Sequence, residues 1–343
     1  MRKSQLVILP FIFSLCLHFT ACDRKGGSSS SAKQHEGPKL GLVFDRGGKD
    51  DRSFNESAYR GARQAEKELG FQVKVVETAD DNAFESLLRG FARKEFDLIV
   101  GIGFSQADPL KKVATEFPQQ KFLLIDAVVD LPNVASAMFR EHEGSYVVGA
   151  LAALSSKTGK IGLVGGMDIP LVRRFGMGYE AGAKSVRPEI QVLQNYIGVT
   201  SEAWNNPPKA KELSLAQIGR GVDVIYSVSG ASGSGIFDAV EEKKVLAIGV
   251  DSNQNYLKPG RILTSMLKRV DVAVFQVAKS LKDGKFTSGK LDFGFHNQGV
   301  DYVIDEHNRA LITPELEARM ETLKREIQSG KIQVPDFYEK RTP

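Results

Sequence analysis

Asp45 and Phe54 are the residues that set the chemistry of this chain. Asp45 ends an apolar run, Leu40–Phe44, a charged Gly-rich turn follows, and Ser53-Phe54-Asn55 then opens an amphipathic segment. A carboxylate accepts hydrogen bonds and an aromatic ring offers a flat apolar face. Together they suit gripping a planar polar ligand better than making or breaking bonds. Asn55 reads equally as a ligand contact or as part of the helix start. Asp126 ends a second apolar run, Asp251 closes a third and Lys268 a fourth. Charges stranded where a core residue would be apolar are candidate ligand groups, with an ion pair as the alternative reading for Asp251 and Lys268. Phe104 follows a strand pattern and serves either a cleft or the core. Phe175 has Met177 and Tyr179 for helical company and reads more readily as core. Trp204 lies in a polar loop ending in proline and is a candidate second stacking face.

Enzyme chemistry finds little support. Ser229–Asp238 reads SGASGSGIFD between a strand pattern and a helix pattern. The third glycine of a dinucleotide loop is replaced by Asp238, whose charge opposes a pyrophosphate at a helix start. No Walker lysine follows, and none of the serines completes a nucleophile elbow. This Gly-rich loop, Gly230 in particular, is expected to approach a ligand through its backbone. His142-Glu143 lacks the second histidine of a zinc helix, because position 146 is Tyr. Beyond the leader, histidines occur only at positions 35, 142, 296 and 307. No metal or Ser-His constellation emerges, so neither catalysis nor a cofactor is expected.

The elements that must position these residues alternate. Strands are expected at Leu40–Phe44, Gln72–Glu77, Leu98–Gly101, Phe122–Ile125, Val134–Phe139, Ile161–Val164, Val192–Ile197, Val224–Val228, Val245–Val250 and Leu263–Leu267. Helices are expected at Asn55–Leu69, Phe84–Lys94, Leu110–Phe117, Gly144–Ser155, Arg174–Val186, Lys209–Arg220, Gly235–Glu242 and Val272–Lys282. Ser53 is a reasonable N-cap for the first helix, with Ala58, Ala62, Ala65 and Leu69 on its apolar face. Repeated β-α-β crossovers imply an α/β fold with parallel sheets covered on both faces. Ten strands divide better into two doubly wound lobes than into one sheet. The alternation restarts near Arg140–Gly144. Ligand contacts in such sheets gather at the carboxyl ends of strands, where Asp45, Asp126, Asp251 and Lys268 stand.

The N-terminus gives the compartment. Met1-Arg2-Lys3 is basic, Leu6–Phe19 is almost wholly apolar, and Phe19-Thr20-Ala21-Cys22 sets small residues before a cysteine. The run is too short to span a bilayer, which takes about 20 apolar residues. It reads as a bacterial lipoprotein signal, residues 1–21, with Cys22 lipidated, although Phe19 stands where Leu is usual. Gly26–Ala32, GGSSSSA, makes a flexible tether within 22–37. Cys16 leaves with the leader, so no disulfide partner remains. The formal charge of +4 falls to +2 when Arg2 and Lys3 are removed, and no long basic stripe suggests nucleic acid.

LGLVFDRGGKDDRSFNESAYRG, from Leu40 to Gly61, resembles the start of basic membrane protein family lipoproteins. These are type I solute receptors of ABC transporters that bind nucleosides. Further similar motifs follow in order: Gly101-Ile102-Gly103-Phe104, Ile125-Asp126, Phe139–Gly144 (FREHEG), Gly165–Asp168 (GGMD), Arg174–Gly182 (RFGMGYEAG), Gly249–Ser252 (GVDS) and Thr264–Lys268 (TSMLK). One departure is Trp204-Asn205-Asn206, where the family has an aromatic followed by an acid. The resemblance implies a type I periplasmic-binding fold whose two lobes are joined by three hinge passages. These would fall near Arg140, Asp251–Asn255 and Gly289–Phe293. Lobe 1 would comprise 38–140 plus 253–290, and lobe 2 would comprise 141–252 plus 291–343. It further implies a lipid-anchored monomer at the cell membrane, facing the periplasm or exterior. Its partners would be a purine nucleoside (inosine, guanosine or adenosine) and an ABC permease. Phe54 and Trp204 would sandwich the base, Asp45 would read its edge, and Asp251 with Lys268 would hold the ribose hydroxyls. A sugar receptor of the same fold and a surface adhesin or signalling lipoprotein are the alternatives.

Overall fold

The computed structural model describes residues 37–339; the leader, Cys22 and nearly all of the tether lie outside them. Two six-stranded sheets form within this region. The first contains β1 (Lys39–Val43), β2 (Gln72–Val76), β3 (Leu98–Gly101), β4 (Lys121–Ile125), β5 (Val134–Phe139) and β11 (Gly289–Phe293), in the order β11-β5-β4-β3-β1-β2. The second contains β6 (Lys160–Met167), β7 (Gln191–Gly198), β8 (Val224–Val228), β9 (Leu246–Asp251), β10 (Ile262–Lys268) and β12 (Val300–Val303), in the order β12-β10-β9-β8-β6-β7. Pairing is parallel except between β10 and β12, which run antiparallel.

Apolar runs that look continuous in sequence bury both faces of each sheet. In the first lobe Leu40, Leu42, Val100 and Leu123 pack under α1 (Phe54–Leu69) and α8 (Val270–Lys282). Val43, Ile99, Phe122 and Leu124 meet α2 (Phe84–Ala92) and α3 (Ala107–Glu116) on the other face. The second lobe repeats the plan. Leu163, Tyr226 and Ile248 face α4 (Glu141–Ser155) and α5 (Pro170–Val186). Val164, Ile225 and Ala247 face α6 (Pro207–Gly219) and α7 (Gly233–Lys243). The motif Arg174–Gly182 explains itself here. A Cβ on Gly182 would lie within 1.9 Å of the Tyr146 carbonyl oxygen, and one on Gly178 within 2.3 Å of that of His142. Both glycines let α5 press onto the backbone of α4.

Two expectations need correction. The span 253–290 does not return whole to the first lobe, because β10 pairs with β9 and β12 in the second sheet. The second passage therefore falls at Lys268–Val270, after β10, rather than at Asp251–Asn255. The third follows β11, whose pairing with β5 keeps Gly289–Phe293 in the first sheet. The passages are stitched together: the Arg140 N–H donates to the Phe293 carbonyl at 2.7 Å, and the Arg269 N–H to that of Gly299 at 2.9 Å. The second correction concerns Ser53. Its side chain makes no cap to α1; the Asp51 carboxylate does that work, accepting from the N–H groups of Ser53, Asn55 and Glu56 at 2.8–3.0 Å. β12 and α9 (Pro314–Gln328) complete the second lobe and had no counterpart among the expected elements.

Candidate functional site

A cavity lies between the lobes, at the strand ends where open α/β sheets take their ligands. Asp45, Phe54, Asn55, Phe104, Asp126, Phe175, Trp204, Gly230, Asp251 and Lys268 all line it. Chain topology explains the convergence. β1, β4, β9 and β10 each deliver a charged residue at or just beyond their carboxyl ends, and both sheets aim those ends at the cleft.

Asp45 sits just beyond β1 with its carboxylate buried. Oδ1 accepts from the Arg46 N–H at 2.8 Å, and the Ser105 hydroxyl lies 3.4 Å away. Gly103 closes over the other oxygen. A Cβ there would approach Oδ2 to 2.3 Å, and the backbone has a left-handed φ of +102°, so glycine is required on both counts. Burial pushes the Asp45 carboxyl up to about 7, only partly offset by the Arg46 N–H. Asn55 turns out to brace this loop. Its Oδ1 accepts the Asp45 N–H at 3.0 Å, and its Nδ2 donates to Asp51 at 3.0 Å and to the Arg46 carbonyl at 3.1 Å. Although Asn55 lines the cavity, its amide hydrogens are engaged by Arg46 and Asp51 and its Oδ1 already accepts from Asp45.

Asp126 and Asp251 share a conformation that sequence reading did not anticipate. Both take a left-handed backbone, with φ of 71° and 63°. Such strain in a non-glycine residue is concentrated at ligand sites. Here it turns both carboxylates out of their strands. Lys268 at the tip of β10 donates to Asp126 Oδ2 at 2.6 Å and pairs with Glu141 Oε1 at 3.0 Å. The ammonium also lies 5.1 Å from the ring centroids of Phe54 and Phe139 and 5.7 Å from that of Phe175. Burial works against its charge, but Asp126, Glu141 and Asp251 hold it above the ordinary lysine range. Lys268 is therefore ion-paired, but with Asp126 and Glu141 rather than with Asp251. Burial raises Asp126 to about 6 despite Lys268, and likewise raises Asp251 to about 6. Asp126 Oδ1 is fully buried without a hydrogen-bond partner.

The aromatic groups come from both lobes. Phe54 opens α1, and Phe104 stands half-buried after β3. Trp204 belongs to a short turn, Ser201–Asn205, beyond β7, and its ring lies against Gly166, where a Cβ would come within 2.3 Å. Phe175 does both jobs considered for it: it joins the core and borders the cavity. Gly230, with φ of 57°, begins a turn beside Trp204 and brings backbone to the cavity wall. Asp238 faces away on α7, paired with Lys258 at 3.2 Å.

Sequence reasoning missed Asp51, Arg46, Glu141 and Ser229. Asp51 had a readable signal, an acidic residue four positions before Asn55 at a helix start. Glu141 lay within the quoted FREHEG motif, but nothing local tells that it pairs with a lysine more than a hundred residues away.

Two doubly wound lobes, three connecting passages and a cavity between strand tips define a bilobed solute receptor. The chain belongs to the Bmp family, ABC transporter substrate-binding proteins of the PnrA-like type, whose model matches residues 39–337. It is 33% identical to the ABC transporter nucleoside-binding protein BmpA of Lactococcus lactis subsp. cremoris, over 98% of this chain and 99% of the relative. It is also 33% identical to basic membrane protein A of Borreliella burgdorferi, over 97% of each chain. A crystal structure of an ABC transporter solute-binding protein from Aeropyrum pernix K1 superimposes with a TM-score of 0.78 at 33% identity, covering 87% of this chain and 94% of that one. This is an ABC transporter substrate-binding protein.

Proposed function

We propose that the protein binds purine nucleosides in its interlobe cleft and delivers them to an ABC permease, without chemical change to the solute. One arrangement carries this reading: flat aromatic faces from both lobes border a cavity that also contains a partner-free carboxylate oxygen on Asp45 and buried charges at Asp251 and Lys268. Phe54 and Trp204 stack on the base, and Asp45 reads its edge. Asp251 accepts from the ribose diol. Lys268 has three N–H donors; one goes to Asp126 and Glu141 Oε1 is an ion-pair neighbour at 3.0 Å outside hydrogen-bond geometry, which leaves donor capacity for a sugar oxygen. Stacking contributes roughly 1–3 kcal/mol per base, so two faces supply much of the ~8 kcal/mol of a micromolar complex. The nucleoside-binding relative in Lactococcus lactis supports the same choice.

Release of bound solute tests it. Mass spectrometry of the supernatant after the purified protein is denatured should find a purine nucleoside, whereas a hexose or pentose would favour the sugar receptor. The lipid anchor is a second part of the proposal and lies outside the described residues. Cys22→Ser should move the protein out of the membrane fraction, and unchanged membrane retention would exclude Cys22 as the anchor.

A further inference from the structure

The two oxygens of Asp45 meet different surroundings. Oδ1 is engaged as an acceptor, from the Arg46 N–H at 2.8 Å with the Ser105 hydroxyl 3.4 Å away. Oδ2 lies beside Gly103 and is the oxygen left for the cavity. No cation pairs with Asp45 among the described residues. The neighbouring Arg46 guanidinium turns instead to Asp81 at 3.0 Å, and Lys268 turns to Asp126 and Glu141. The other charges facing Asp45 are acidic: Asp81, Asp126 and, through the Asn55 brace, Asp51. Such surroundings favour a proton on the carboxyl. That proton goes to Oδ2, because Oδ1 already points its lone pairs at donors.

We infer that Asp45 reads the purine edge in two protonation states, so that one site takes both 6-oxo and 6-amino purine nucleosides and pH sets the preference between them. As a carboxylate, Oδ2 accepts from the ring N1–H of inosine or guanosine. As a carboxylic acid, the same oxygen donates to the bare N1 of adenosine. Burial raises this group to about 7, which populates both states near neutral pH. Asp51, Asp126 and Asp251, each raised to about 6, titrate in the same range. Asp251 stands at the sugar end and acts alike on both nucleosides, whereas Asp51 and Asp126 face Asp45 and bear on the base through its proton. This inference rests on the nucleoside reading above.

The test is calorimetric titration of the full-length protein with inosine and with adenosine between about pH 5.5 and 7.5. The ratio of the adenosine Kd to the inosine Kd should fall about tenfold for each pH unit of acidification, because one proton separates the two binding states. In Asp45→Asn the amide oxygen takes the place of Oδ1 and the NH₂ faces the cavity as a permanent donor. That variant should shift preference toward adenosine and lose the pH dependence of the ratio. A constant ratio in the wild-type protein, or continued inosine preference in Asp45→Asn, overturns the two-state reader while leaving nucleoside binding intact. Failure of both nucleosides to bind at any pH overturns the nucleoside reading itself.

Discussion

The Ser53 hydroxyl donates to Asp251 Oδ2 at 2.6 Å, joining the start of the first lobe's α1 to a strand tip of the second lobe. Two more hydrogen bonds reinforce this seam: Ser252 Oγ to the Ser53 carbonyl at 2.7 Å, and Gln254 Nε2 to the Arg52 carbonyl at 3.0 Å. Because Asp51 caps α1, Ser53 is free to hold the lobes together. It also orients the carboxylate assigned to the ribose.

Removing that hydroxyl should loosen closure without disturbing the fold. A hydrogen bond to a charged group contributes about 1.5–3 kcal/mol, so Ser53→Ala should release nucleoside roughly ten- to a hundredfold faster. Trp204 is the single tryptophan of the chain and lines the cavity, so its fluorescence can follow dissociation by stopped flow. An unaltered dissociation rate would mean that the seam does not govern release.

Lys268 should matter to stability as well as to binding. It joins Asp126 of the first lobe to Glu141 at the first passage, and Glu141 in turn accepts from the buried Arg174 at 2.8 Å. Lys268→Met leaves the buried Asp126 carboxylate without its cation, while Glu141 keeps Arg174. Breaking a buried pair from one side costs about 3–5 kcal/mol. Urea unfolding should show that loss, and adding Asp126→Asn to the same chain should recover part of it. Wild-type stability in Lys268→Met would show that Asp126 is neutral in the folded protein.

Stability of the ligand-free protein should rise as pH falls through the neutral range. Asp45 is raised from about 4 in the unfolded chain to about 7 in the fold, and Asp51, Asp126 and Asp251 are raised to about 6. Between these values the folded state holds protons that the unfolded state has lost. The stabilisation is complete below about pH 4 and disappears as pH rises through about 7, with a slope of up to about 1.4 kcal/mol per pH unit for each proton. Urea midpoints for these groups should therefore be higher at pH 5.5 than at pH 7.5, and Asp45→Asn should flatten the upper part of the curve. A midpoint that climbs with pH would show that these carboxylates are ionised and paired.

The legible part of this molecule was the part governed by local pattern. Apolar runs bounded by turns located β1 to β10 to within a few residues, and a charge at the end of such a run marked Asp45, Asp126, Asp251 and Lys268 as cavity residues. What escaped depends on partners far along the chain. β12, VDYV, is an antiparallel edge strand, and only its register against β10 makes it a strand. α9 buries only Met320, Leu323 and Ile327, a narrow stripe in an otherwise charged segment. Ser53 looked like a cap because its residue type favours one, but Asp51 reaches the same N–H groups with a full charge. Asn55 and Lys268 line the cavity as expected. Their bonds to Asp45 and Asp51, and to Asp126 and Glu141, were invisible because no spacing encodes them.

The central claim is that this cleft holds a purine nucleoside by both base and sugar. Calorimetric titration of the wild-type protein with inosine and with hypoxanthine compares the two ligands directly, since they share a base and differ by the ribose. Asp251 and Lys268 are buried and would be left without the sugar's hydroxyls by the free base. Sites built to bond a substrate hydroxyl reject an analogue lacking it by about 10⁴ or more. The account predicts tight inosine binding and far weaker hypoxanthine binding; equal affinities for the two would contradict it.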